Sequence, residues 1–392
     1  MVRVTRIRSQ QSPPGQHSLN VLTEERNPMS ERLFNFSAGP ATLPLSVIEQ
    51  VKSDLPVFGD MGASVLEISH RSAAFANVLE EAEGAIRTLL SVPDGYKVLF
   101  LQGGASTQFA MVAMNFLANT GKTADYIKVG TWAAKAIKEA KRAGNVHVAF
   151  DGEPGAYTHM PRQDELQLTS DAAYVHTTSN ETIQGIQFAS EPDTGDVPLI
   201  CDSSSDFMCR PTDISKYGMI YAGAQKNMGP AGVTIVVMSD ELIARVPADQ
   251  YSMMSYAVQA EKGSTFNTPP AFSIYVVGLV AKWLRDSVGG LEAIRALNER
   301  KSQLLYDTID QSGGFYKGHA AEDSRSLMNV TWTMANAELE AQLIKEAAGE
   351  GLMSLKGHRS VGGLRASIYN AMPLEGVQAL AEYMKEFQRT HG

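Results

Sequence analysis

The sequence predicts an α/β protein. Its larger domain carries a mostly parallel mixed sheet, with one antiparallel strand and helices on both faces, and a smaller α+β domain follows. Three observations lead there. From about residue 34 to 285, short apolar runs alternate with amphipathic stretches, the rhythm of parallel strands joined by helical crossovers. Only about a dozen residues separate the apolar runs at 219–221 and 233–238, too few for a crossover, so this pair is expected to be antiparallel. Near Gly289-Gly290 the alternation gives way to a long amphipathic stretch. The expected divisions are an extension over 1–30, a segment over 31–46 that joins the small domain, a large domain over 47–288 and a small one over 289–392.

The elements follow in order. A strand at 97–101 leads to a helix at 107–117, with Phe109, Val112, Ala113 and Phe116 on one face. A strand at 125–129 precedes a Lys-rich helix at 133–143, stopped by Gly144. Further strands are expected at 173–176, 197–201, 219–221 and 233–238. The last is rich in β-branched residues. The small domain reads as a helix at 291–312, a strand at 329–334, a helix at 339–348 and a strand at 365–368.

Composition narrows the function classes. The chain has 392 residues, 44% of them hydrophobic, enough for two full cores. A net charge of −9 without a basic tract in its body argues against a nucleic-acid partner. Two cysteines, Cys201 and Cys209, cannot build a disulfide framework or a closed zinc site, and no metal site is expected. A reducing, cytoplasmic setting fits. No run reaches the ~18 apolar residues of a membrane span. The first 30 residues carry Arg3, Arg6 and Arg8 among Ser, Gln and Pro with no apolar core, so they are not a secretory signal. They read as a disordered extension. The alternatives are an organellar targeting segment and a start assigned too early, since Met29-Ser30-Glu31 would serve as a natural beginning.

The chemistry centres on Lys226, in Gly223-Ala224-Gln225-Lys226-Asn227-Met228-Gly229-Pro230. A lysine in a small-residue loop at a strand end is partly desolvated, which lowers its pKa and frees the amine for Schiff-base chemistry. Asp202 ends the apolar run that starts at Val197, so both side chains should stand on one sheet edge. An Asp and a Lys at neighbouring strand ends are what pyridoxal phosphate requires: a carboxylate for the ring nitrogen and an amine for the aldehyde. Gln102-Gly103-Gly104-Ala105-Ser106-Thr107 lies between a strand and a helix. It is either an anion cradle at a helix N-terminus or a plain turn with a Ser/Thr cap. Trp132 offers a flat face for a heteroaromatic ring, or else packs as a core residue. Thr182 is a donor for a ring oxygen or a simple turn residue. His70-Arg71 and His358-Arg359, each followed by Ser, and Arg365 after Gly362-Gly363, suit anionic groups. Taken singly, each equally describes a solvated surface charge.

Seven blocks in this order resemble the phosphoserine aminotransferases, a branch of the class V, fold-type I pyridoxal-phosphate-dependent transferases. They are Asn35-Phe36-Ser37-Ala38-Gly39-Pro40, Glu67-Ile68-Ser69-His70-Arg71-Ser72, Gln102-Gly103-Gly104-Ala105-Ser106, Asn180-Glu181-Thr182-Ile183, Gln225 to Gly232, Asn267-Thr268-Pro269-Pro270, and Lys356 to Gly363. The resemblance runs from about Phe34 to the C-terminus. It implies that Lys226 carries the cofactor and moves the substrate proton. Asp202 pairs with the ring nitrogen, Trp132 stacks on the ring and Thr182 bonds its hydroxyl. Ala105, Ser106 and Gln225 hold the cofactor phosphate, joined by Asn267 and Thr268 of a second subunit, so a homodimer with shared active sites is implied. Arg365 takes the substrate α-carboxylate. His70, Arg71, His358 and Arg359 take the distal phosphate or the glutamate γ-carboxylate. Position 106 is Ser here, where some members carry Arg. The implied reaction joins L-glutamate to a phosphorylated oxo acid in serine biosynthesis, with a pyridoxine-pathway substrate as a second possibility. The alternatives are another class V enzyme, such as an alanine–glyoxylate aminotransferase, and a non-catalytic binding protein of the same fold.

Overall fold

Alternation of apolar side chains decides the central sheet. Val98 and Phe100 pack in one core and Leu99 and Leu101 in the other; Ile220 and Ala222 oppose Met219 and Tyr221 in the same way, as do Ile235 and Val237 against Val236 and Met238. Successive side chains in a strand point to opposite faces, so a sheet buried on both faces needs apolar residues at every position. In the computed structural model, residues 32–392 are described; the extension expected over 1–30 lies outside them. Residues Phe34–Gly392 form one compact unit.

Seven strands lie in the order Tyr96–Leu101, Thr234–Ser239, Met219–Gly223, Leu199–Asp202, Val175–Thr178, Thr123–Lys128 and Asn145–Asp151. Thr234–Ser239 runs antiparallel to both of its neighbours, and the other pairings are parallel. The short 224–233 connection imposes that single reversal. The edge strand Asn145–Asp151 was not foreseen. It buries only Ala149 fully, so it lacks the apolar run of its neighbours. Helices Ala73–Leu90 and Ala271–Lys282 supply the core on one face, and Gly104–Phe116 and Thr131–Ala140 on the other.

Residues beyond Leu291 have a core of their own. The antiparallel strands Lys317–Gly318, Asn329–Thr333 and Leu364–Ser367 pack with helices Leu291–Asp310 and Leu374–His391 around Val330, Trp332, Leu364, Leu380 and Met384. Phe36, from the start of the unit, enters the same cluster, and Phe34–Asn35 pairs in parallel with Leu352–Met353. A buried polar seam ties this core to the large sheet. Lys301 Nζ donates to the carbonyls of Ile368, Tyr369 and Met372 at 2.9, 2.8 and 3.2 Å. Asn298 Nδ2 donates to Cys209 O and to Asn370 Oδ1, and Asn370 N donates to Asn227 Oδ1 beside Lys226. Among the described residues, no helix is long and apolar enough to cross a membrane.

Beneath the sheet's functional edge lies a buried imidazole. His176 Nε2 meets Tyr221 Oη at 2.7 Å, and its Nδ1 has no partner. Burial pushes its pKa from 6.5 down to about 3. Between those values the unfolded chain binds a proton that the folded chain refuses. The stability is therefore full above pH 6.5 and declines as pH falls towards 3, by at most about 1.4 kcal/mol per pH unit. His176→Phe should flatten the pH dependence of the urea midpoint between pH 6.5 and 4. An unchanged slope would show that other groups drive the acid transition.

Candidate active site

The register of the parallel strands sets the site. Thr178 lies opposite Asp202, and Asp202 opposite Tyr221, so two adjacent strands end level and the third runs two residues further, to Gly223. The chain leaving them carries Thr182, Asp202 itself and, after Gly223, Lys226. The crevice beyond such strand ends is where open α/β sheets place their ligands.

Lys226 Nζ donates to Thr182 Oγ1 at 2.6 Å and stands 5.1 Å from the centroid of the Trp132 ring. Burial lowers its pKa and Arg365 adds to the fall, while Asp202 and Glu181 oppose it. Asp202 is buried, and burial raises its pKa against the pull of Lys226 and Ser204. Its Oδ1 accepts from Ser204 N at 2.9 Å and from Ser204 Oγ at 2.6 Å, and Oδ2 takes part in neither bond. Arg365 Nη1 reaches Thr182 O at 3.5 Å from the strand Leu364–Ser367, and burial holds its pKa below the usual arginine value. The N-terminal block closes over this loop. Ala41 N donates to Gln225 O at 2.9 Å, and a side chain at Gly39 (φ 145°) would stand 3.3 Å from Lys226 Cγ.

Two helices begin at the site without a local cap. Gly104–Phe116 follows Gly103 at φ 91°, with no side-chain hydrogen bond capping its first turn. A Cβ at Gly103 would fall 2.0 Å from Thr107 Oγ1, so only glycine fits there. Ala105 and Ser106 sit inside that first turn, three residues earlier than the helix start the sequence suggested. Thr131–Ala140 likewise starts earlier than expected and takes Trp132 into its first turn. Its cap is remote: Glu181 accepts from Ala133 N at 2.8 Å and from Trp132 N at 3.1 Å. Glu181 is fully buried, which pushes its pKa up to about 7. This carboxylate received no role from the sequence, although it is the only Asp, Glu, Lys or Arg between Asp171 and Glu191, and a lone charge that is buried must find partners. Ser204 was missed as well; two residues past an Asp at a strand end, it reads as ordinary turn chemistry.

The residues present fit pyridoxal phosphate. An uncapped helix N-terminus suits its phosphate, an indole beside the amine suits its ring, and Asp202 Oδ2 suits its ring nitrogen. Trp132 Nε1 is also buried there without a partner. Gln225 precedes Lys226 directly, as expected. His358 lies within the electrostatic reach of Arg365, Arg359 and Lys135; burial first, then these charges, lower its pKa. Gln102 Nε2 donates to Thr268 O at 3.0 Å, and Asn267 lines a cavity of about 180 Å³ with Gln102, Gly103 and Thr107. Among the described residues, no hydrogen bond joins the side chains of Asn267 or Thr268 to Ala105, Ser106 or Gln225. His70 and Arg71 precede the helix Ala73–Leu90, capped by Ser72; no hydrogen bond or ion pair among the described residues links them to the Lys226 group.

These charges make the Lys226 amine a test of the geometry. In cofactor-free protein carrying ¹³C-methylated lysines, its resonance should titrate below 10.5. Asp202→Asn should lower that value further and Arg365→Leu should raise it. Shifts in the opposite directions would separate these groups from the amine.

The class-V aminotransferase family model matches residues 33–380. The phosphoserine aminotransferase of Niallia circulans is 51% identical over 93% of this chain and all of its own length. The solved phosphoserine aminotransferase of Bacillus circulans subsp. alkalophilus superposes with a TM-score of 0.90 at 51% identity, covering 93% of this chain and 100% of that one. The pyridoxal-phosphate-bound phosphoserine aminotransferase of Trichomonas vaginalis superposes with a TM-score of 0.85 at 38% identity, covering 90% and 100%. With the family matched across nearly all of Phe34–Gly392, and with a lysine, an aspartate and an indole grouped at one sheet edge, the chain belongs to the class V aminotransferases.

Proposed function

We propose that this chain is a phosphoserine aminotransferase, moving an amino group from L-glutamate to 3-phosphohydroxypyruvate to give 2-oxoglutarate and O-phospho-L-serine. The observation that carries the reading is the Lys226 amine, lowered in pKa and held between Thr182 and the Trp132 ring at the strand end next to Asp202. The roughly 50% identity to enzymes of that name supports the substrate pair. Bound pyridoxal phosphate supplies an aldehyde that takes up the amino group and a ring that withdraws electrons from the substrate Cα.

The chain's own groups do the rest. Asp202 keeps a proton on the ring nitrogen, and Ser204 fixes the carboxylate's direction. Trp132 would offer its face to the ring, with Glu181 anchoring its backbone. Thr182 donates to the ring hydroxyl when Lys226 is engaged. Ala105, Ser106 and Gln225 hold the cofactor phosphate. Lys226, once free, would take the proton from the substrate Cα and deliver it to the cofactor's C4′, a role that a lowered pKa favours. Arg365 binds the α-carboxylate; His358 and Arg359, with His70 and Arg71, bind the distal anion. Fixed charges of this kind act where charge develops in the transition state.

The functional test is a half-reaction. Glutamate should bleach the yellow holoenzyme, and 3-phosphohydroxypyruvate should restore the colour far faster than pyruvate or glyoxylate. Equal restoration by glyoxylate would favour an alanine–glyoxylate enzyme, and no bleaching would favour a binding protein.

We also propose a cytoplasmic homodimer, with residues 289–392 and the 31–46 segment acting as a small domain. The separate core around Phe36, Trp332 and Leu380 supports the domain division. Free, buried cysteines suit a reducing compartment. Exposed Leu45, Ile48, Leu55, Val57, Met61 and Leu66 support a covering partner copy, and in that dimer Asn267 and Thr268 enter the other subunit's site. Thr268→Glu and Lys226→Ala should each be inactive alone. Co-refolding them should restore activity, because heterodimers then hold one wholly native site. Persistent inactivity with heterodimers demonstrably formed would mean that each site is built from a single chain.

A further inference from the structure

Lys135, exposed beside Trp132, has no role in the reading above. It lies one turn along the helix Thr131–Ala140 from Trp132, and its Nζ sits 3.9 Å from the centroid of the Trp132 ring. An ordinary surface partner is within reach: Glu139 occupies the i+4 position, where helical Lys and Glu commonly pair. Glu139 pairs instead with Arg142 at 3.6 Å. Among the described residues, no carboxylate forms an ion pair with Lys135. Its side chain turns back over the indole, and its charge is felt by His358 together with those of Arg359 and Arg365. An exposed ammonium held over an aromatic face, without an acid, keeps its charge available to an incoming anion.

The charge balance gives that ammonium a purpose. A phosphate monoester carries about −1.5 to −2 at pH 7, whereas the γ-carboxylate of glutamate carries a single charge. Arg365 is reserved for the α-carboxylate. His358, lowered in pKa by burial and by its cationic neighbours, is mostly neutral at pH 7. Ser106, in the cofactor loop, adds no charge. Beside His358, Arg359 and Arg71 are then the full charges proposed for the distal group. A carboxylate has two oxygens and one charge to share between them, whereas a phosphate carries nearly two charges on three oxygens and has room for a further ammonium.

We propose that Lys135 is a specificity-determining residue that pairs with the phosphate of the phosphorylated substrate and is little used by glutamate. The inference rests on the reaction proposed above. Its stem covers part of the Trp132 ring, so Lys135→Met keeps the apolar contact and removes only the charge.

The test measures binding to the holoenzyme by calorimetry. The unreactive probes are 3-phosphoglycerate and its unphosphorylated counterpart, glycerate, with glutarate as a dicarboxylate control. Wild type should bind 3-phosphoglycerate well above glycerate. Lys135→Met should weaken 3-phosphoglycerate about tenfold or more, the share of one charge-assisted hydrogen bond, while glutarate changes less than about twofold. Lys135→Arg should recover most of the loss, and the salt dependence of 3-phosphoglycerate binding should shrink in the Met variant. An unchanged cofactor absorbance spectrum shows that the site is intact. If wild type prefers the phosphorylated probe and Lys135→Met prefers it equally, Lys135 is not the determinant and the proposed reaction stands. Equal losses for 3-phosphoglycerate and glutarate likewise overturn the assignment, because Lys135 then reads any anion. If wild type shows no preference for the phosphorylated probe, the proposed reaction itself fails.

Discussion

The site depends on withdrawing one amine and one carboxylate from water together. Lys226 and Asp202 each resist burial in the charged form, and each eases the other's desolvation. Neither could be buried alone without neutralising. The register that sets Asp202 opposite Tyr221 puts the lysine loop on the adjacent strand, so the pairing follows from the sheet itself. The remaining contacts steer this balance. Ser204 turns the carboxylate, Thr182 receives the amine, and Arg365 keeps the amine from holding its proton too tightly.

Positions that look like loop decoration are bound into that core. Asn227, next to the lysine, accepts from Asn370 N, and Asn370 in turn meets Asn298 of the helix Leu291–Asp310. Asn370 lies three residues past the end of Leu364–Ser367, the strand that carries Arg365. The segment that follows Arg365 and the Lys226 loop are thus joined through buried amides rather than through apolar packing. Such a network is stabilising only when its members are satisfied, so a change at Asn370 is felt at both ends. Gly39 and Gly103 serve the same end by a different means: Gly39 takes a φ of 145° that side chains rarely adopt, and at Gly103 a Cβ would collide with Thr107.

The helix that carries Trp132 shows how the cofactor side is organised. Its first N–H groups would ordinarily be satisfied by a nearby Ser, Thr or Asp. Here a carboxylate from a different loop takes two of them and fixes the indole's backbone. Gly130 makes room for it, since a Cβ there would lie 2.4 Å from Glu181 Cδ. One buried acid therefore caps a helix, orients an aromatic plate and adds negative potential near Lys226.

The sequence alone determined the sheet apart from one edge strand, its single reversal, and the placing of Lys226 and Asp202 at neighbouring strand ends. Those features rest on local periodicity, connection length and strand-end position, all written in consecutive residues. It also marked Thr182, Trp132 and Arg365 as candidates, though none could be separated from a bland turn, core or surface residue one at a time. It placed the starts of two helices late, because neither start is marked by a capping side chain next to it. At Gly103 the first turn has no side-chain cap, and at Thr131 the cap comes from Glu181 about fifty residues away. The edge strand Asn145–Asp151 escaped because, with little buried, it carries no apolar run. Only the tertiary structure decided which polar groups act on one another: Glu181 behind Trp132, Lys135 on His358 and Asn370 against Asn227. These contacts join residues distant in sequence, and no local pattern of side chains encodes a distance across the fold.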